Sequence, residues 1–122
     1  MKTIIKKILP LFTAFLLLTS VHIYAQDPVK TAPKNYKKVL LENDNVRVLQ
    51  FEMAPKEVIP WHTHPNHVIY ALSDGKIEIT DKGKEAVTMD VKSGDVVFIP
   101  AVTHMARNIG STTIKLIITE IK

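Results

Sequence analysis

The chain has 122 residues, no cysteine, and 16 basic against 12 acidic residues. That length holds one domain at most, and the lack of cysteine excludes disulfides, thiolate metal ligands and a lipid anchor on an N-terminal cysteine. The positive balance is not a nucleic-acid footprint: no Lys/Arg stripe interleaved with aromatics occurs, and setting aside Lys2, Lys6 and Lys7 leaves 13 basic residues against 12 acidic ones.

Those three lysines belong to residues 1–25, which read as a secretory signal peptide. A basic start is followed by an apolar stretch at 8–18, a polar break at Thr19-Ser20, and Ala25 as the small residue before the cut. The apolar run is shorter than the roughly 20 residues a spanning helix needs. The expected product is therefore exported, periplasmic or secreted, with no membrane association after cleavage. Residues 26–38 (QDPVKTAPKNYKK) are polar, carry two prolines and lack an apolar period. They are expected to form an extended arm or linker.

From Val39 onward the pattern is β. Val39-Leu40-Leu41 precedes a turn cluster at 42–45, and 46–53 (VRVLQFEM) puts Leu49, Phe51 and Met53 on one face. Val58-Ile59-Pro60 leads into a histidine cluster. The run at 68–72 ends at Ser73-Asp74-Gly75, a hairpin signal, and 76–80 (KIEIT) alternates cleanly. Further strands are expected at 85–91, 96–99, 104–109 and 112–121, separated by turns at 81–84, 92–95 and Gly110-Ser111. No convincing helical spacing occurs after residue 25. Short strands punctuated every eight to twelve residues predict a small antiparallel sandwich or barrel, and the remaining chain is long enough for a workable core. Small barrels often pair to cover a sheet face, so a homodimer is an expectation.

The histidines carry the chemistry. His62, His64 and His67 lie in the run Pro60-Trp61-His62-Thr63-His64-Pro65-Asn66-His67, and His104 stands far downstream. Imidazole is the commonest metal ligand at neutral pH. A His-x-His pair on a strand turns both rings to one face, as adjacent metal ligands require.

The motif residues resemble those of the cupins. His62-Thr63-His64, the following strand and Gly75 are similar to the family's first motif, in which His-x-His is followed by a glutamate and then a glycine. Gly94, Pro100, His104 and Asn108 are similar to the second. The likeness extends over residues 39–122 and implies an all-β, small antiparallel jelly-roll barrel. Three departures stand out: Lys56 replaces the first motif's leading glycine, Val102 replaces a glycine after Pro100, and Val68 occupies the position of the metal-binding glutamate. Strand alternation from His62 and His64 would point Val68 inward and His67 outward; a bulge at Pro65-Asn66 would reverse this. His67 is read as the fourth ligand beside His62, His64 and His104.

Such a donor set suits one divalent transition metal (Fe, Mn, Ni, Cu or Zn) and leaves coordination positions open. The resemblance implies a mononuclear metal site, in a family of dioxygenases, isomerases, decarboxylases and non-catalytic binders. The function read here is a metal-dependent, oxygenase-like enzyme on a small organic substrate; the alternative is a non-catalytic domain binding a metal or small ligand. Glu52, Glu57, Glu78 and Glu120 are acid–base candidates by type, each expected on a solvated strand face. Trp61, Tyr70, Phe98 and Met105 can line the barrel mouth, with core packing as the expected role. Arg107 can hold an anionic substrate, and the resemblance makes Asn108 structural.

Overall fold

A computed structural model describes residues 26–122, so the expected signal peptide at 1–25 lies outside the described residues. One short helix, α1 (Pro28–Thr31), precedes nine strands: β1 (Tyr36–Glu42), β2 (Val46–Met53), β3 (Val58–His64), β4 (His67–Ala71), β5 (Gly75–Asp81), β6 (Val87–Val91), β7 (Val96–Ile99), β8 (Val102–Asn108) and β9 (Ile114–Ile121). They form two antiparallel sheets, ordered β1-β2-β9-β4-β7 and β3-β8-β5-β6. This is the expected jelly-roll arrangement, with inward side chains of both sheets sharing one core.

Alternation assigns the core. Leu49, Phe51 and Met53 on β2 face inward with Ile114, Leu116 and Ile118 on β9, and Ile59, Ile77 and Ala106 close the core from the other sheet. Leu49, Met53 and Ile114 are fully buried; each contributes about 1.5–3 kcal/mol relative to an exposed side chain.

Residues 26–38 are not the tether their composition suggests. Asp27 caps α1 by accepting from the Val29 N–H at 2.9 Å, and Pro28 takes a first-turn position that needs no donor. The Thr63 N–H donates to Gln26 O at 2.9 Å, fixing the segment to β3. Pro28, Ala32, Asn35 and Tyr36 are buried, and the Tyr36 ring packs on Phe51 with centroids 5.0 Å apart. The few apolar groups in this polar stretch dock together with Asn35, whose Nδ2 donates to Glu52 O and Glu57 Oε2.

Two local devices set which side chains enter the barrel. Ile59 pairs with Ala106 and His62 with His104, so β3 carries one extra residue over that interval. This bulge at Pro60-Trp61 suits a proline that cannot donate to a ladder. It leaves both residues exposed and brings Ile59, His62 and His64 to the interior. Pro65-Asn66 then carries the chain from one sheet to the other, so alternation restarts and β4 begins with His67 inward.

The outer face of the five-stranded sheet is apolar. Register aligns Leu41, Val48, Thr119, Val68 and Phe98 in one row, and Gln50, Ile117, Tyr70 and Val96 in the next. Phe98 is 57% exposed, Tyr70 45% and Trp61 41%, which corrects the expectation that these three pack in the core.

Candidate metal centre

His62 and His104 face each other directly across the β3–β8 ladder, and His64 lies two residues along the same inward face. The candidate donor atoms of His62, His64 and His104 all lie within 4.8 Å of one another, and all three residues are buried. These three histidines are in position to hold a metal. His67 enters from the opposite sheet, fully buried, its ring 4.5 Å from that of His64 by centroids. It stands beside the group of three rather than inside it.

Hydrogen bonding fixes how several rings present themselves. The His62 Nδ1–H donates to Pro60 O at 2.7 Å, and the His67 Nδ1–H donates to Pro65 O at 2.8 Å. A carbonyl can only accept, so each neutral ring keeps Nε2 as its lone-pair nitrogen. Among the described residues, His67 Nε2 is the buried side-chain nitrogen or oxygen left without a partner. An orphaned buried acceptor beside three clustered imidazoles suits a bound cation.

Burial, with repulsion from neighbouring imidazoles, pushes His62 down to about 4 and His104 down to about 3. His67 is lowered by the same causes, burial first. His62, His67 and His104 are therefore neutral at physiological pH, as metal ligation requires.

A carboxylate backs the cluster. Glu120 lies in register with Arg47 on one side and His67 on the other. Its Oε2 accepts from His64 Nδ1–H at 2.9 Å, and its Oε1 accepts from Arg47 at 2.6 Å. Burial alone would raise this carboxyl, but the bonds from His64 and Arg47 outweigh it and hold it below the usual range. Arg47 also forks onto Asp27, with both bonds at 3.0 Å, so the N-cap of α1 joins the chain of contacts behind His64. The Tyr36 hydroxyl lies 3.4 Å from His64 Nε2; burial, then the Glu120 carboxylate, raises its pKa, so it stays a phenol. On the other flank, Asp81 Oδ1 is 3.7 Å from His104 Nδ1.

The donor set therefore fits a divalent transition metal: several neutral imidazoles, no thiolate, an unpartnered buried nitrogen, and a carboxylate behind one ring. Glu120 is buried, not solvated as its residue type suggested. It was findable, because it continues the inward series Ile114, Leu116, Ile118 in steps of two. Glu57 bonds Asn35 and the Ala54 N–H, and Glu78 pairs with exposed Arg107. Arg107 thus points away from the histidines. Asn108 is buried and structural: its Nδ2 donates to Met53 O and Thr112 O, both at 2.9 Å, and its Oδ1 accepts from the Gly110 N–H at 3.0 Å.

Comparison with known proteins agrees with the fold. No curated protein matches the sequence. A cupin domain from Bordetella pertussis is similar in structure at a TM-score of 0.64 and 24% identity, covering 70% of this chain and 90% of that one. A cupin-like protein from Thermotoga maritima is similar at a TM-score of 0.54 and 27% identity, covering 68% and 65%. A protein from the same organism described as a predicted oxalate decarboxylase is similar at a TM-score of 0.52 and 24% identity, covering 68% and 76%. The profile of the cupin domain family (Cupin_2) matches residues 49–120, a span that includes all four inward histidines and Glu120; the chain belongs to the cupin superfamily.

Proposed function

We propose that this cupin is an exported metalloprotein that holds one divalent transition metal on His62, His64 and His104, with His67 as a fourth donor. It uses that metal in oxygenase-like chemistry on a small organic molecule. The observation that carries the reading is the convergence of four inward imidazoles from two sheets at one end of the barrel. A redox-active metal would supply activation of dioxygen or of the substrate, while zinc would supply Lewis acidity. The chain's own part is to hold His62, His67 and His104 neutral by burial, orient His62 and His67 through proline carbonyls, and fix the His64 ring through its Nδ1–H bond to Glu120. The leader-like composition of residues 1–25 supports action outside the cytoplasm.

One observation favours the non-catalytic alternative: the buried carboxylate nearest the histidines is already engaged by His64 and Arg47. The other carboxylate near the cluster, Asp81, is half-buried with its Oδ1 3.7 Å from His104 Nδ1. Dioxygen uptake separates the two readings. Protein reconstituted with Fe(II), Mn(II), Ni(II) or Cu(II) is screened against a panel of phenols, enols and diketones. Metal- and substrate-dependent uptake supports the enzyme; stoichiometric metal binding with no uptake for any metal supports the binding domain.

The apolar outer rows around Val68 and Phe98 support pairing of two copies through that face. Sedimentation should give a dimer mass, reduced to a monomer by Phe98→Lys. A monomer in both refutes the pairing.

A further inference from the structure

Beside His104 the barrel contains a cavity of about 440 Å³. Its walls include Ile69, Ile77, Ile79, Val97, Ile99 and Leu116, with His104 as the histidine in the lining. It lies where the two sheets part: β6 ends one sheet, β7 ends the other, and no ladder joins them. Met89 on β6 lines the cavity and is 46% exposed, which places it at the opening.

The charged residues of the lining are Asp81, Lys84, Glu85, Asp90 and Asp95, four acids against one base. The last four are exposed and Asp81 is half-buried, so charge gathers toward solvent and the inner wall is aliphatic. Neither described arginine serves the cavity: Arg47 is held by Asp27 and Glu120, and Arg107 pairs with Glu78. A dicarboxylate entering here would meet net negative charge and no guanidinium fork. A polyhydroxylated ligand would find few partners for its hydroxyls. The volume is about three times that of a cavity that holds benzene.

We propose that this cavity takes a neutral, largely apolar organic molecule of about bicyclic size, entering between β6 and β7, with a single oxygen donor turned toward His104. The inference deepens the proposed function and rests on it only for the metal that the oxygen would meet; the apolar chamber stands by itself.

The test uses 2-naphthol as the neutral apolar probe and succinate as the dianion. Each is titrated into metal-free and zinc-loaded protein and followed by calorimetry and amide NMR shifts. The expected result is 2-naphthol binding at least tenfold tighter than succinate, with shifts at Ile77, Ile79, Val97 and His104. Met89→Trp, at an exposed position that leaves the core intact, should weaken naphthol at least tenfold while its circular dichroism is unchanged. Naphthol binding with those shifts, in a protein that takes up no zinc, supports the chamber and refutes the metal reading alone. Zinc uptake with succinate preferred, or with naphthol shifts confined to the outer face around Phe98, overturns the chamber and leaves the metal reading intact. Failure of naphthol to bind either form also overturns it.

Discussion

Glu120→Gln is the most informative single substitution, because the new side chain keeps the shape and removes the charge. In the wild-type protein one oxygen accepts from His64 and the other from Arg47, at 2.9 and 2.6 Å. A glutamine offers one carbonyl oxygen, so one of these donors must face an NH2 group or lose its partner. A hydrogen bond to a charged group contributes about 1.5–3 kcal/mol, and breaking a buried ion pair from one side costs about 3–5 kcal/mol. Arg47 keeps its fork to Asp27, so the lower part of that range applies, about 3 kcal/mol of folding stability. The effect on metal is separate: losing the carboxylate behind a ligating imidazole lowers affinity about 10–100-fold. Urea unfolding of the metal-free protein reads the first quantity, and Zn(II) calorimetry in a competing chelator reads the second. Arg47→Met alone and combined with Glu120→Gln then divides the stability loss between the two partners. Affinity within twofold of wild type would show that Glu120 does not act on a metal ligand. Unchanged stability would refute the buried network.

Three further outcomes are expected. Because His62, His67 and His104 titrate below the ordinary histidine value in the folded chain, the unfolded chain binds more protons in acid. Metal-free stability should therefore be level above pH 7 and fall from about 6.5 toward 4, with Glu120 adding a further loss below 4.5. Thermal unfolding across that range checks it, and a flat or opposite trend contradicts the neutral-imidazole cluster. Gly75→Val should destabilise by about 1–3 kcal/mol, since a Cβ there would stand 2.6 Å from Ile114 Cγ1; a neutral result in urea unfolding would show that Ile114 yields freely. Asn108→Ala strands two carbonyls and the Gly110 N–H, so a loss of about 3 kcal/mol is expected with metal affinity retained. Loss of metal affinity without loss of stability would make Asn108 part of the site.

The strand pattern was legible because this small barrel follows simple alternation between turns, as Leu49-Phe51-Met53 and Ile114-Leu116-Ile118 show. His62, His64 and His104 were legible for the same reason. His67 was harder: its orientation depends on Pro65-Asn66 crossing between sheets, a long-range event that local periodicity does not contain. Glu120 and Arg47 both sit in phase with apolar neighbours, yet their ion pair forms only when β2 and β9, far apart in sequence, come into register. The docking of residues 26–38 rests on a few contacts, Tyr36 on Phe51 and Gln26 on Thr63, that a polar composition conceals. Trp61 and Phe98 were misplaced because a bulge and an apolar outer sheet face both override the rule that large aromatics are buried.

The central claim is that the histidine cluster holds a metal. Its most direct test is metal stoichiometry after reconstitution and dialysis, measured on tag-free protein beside the His62→Ala/His64→Ala double variant. One equivalent of a divalent transition metal is expected in the wild-type protein and none in the variant, with both folded by circular dichroism. No retained metal in the wild type, or equal retention in both, would contradict it.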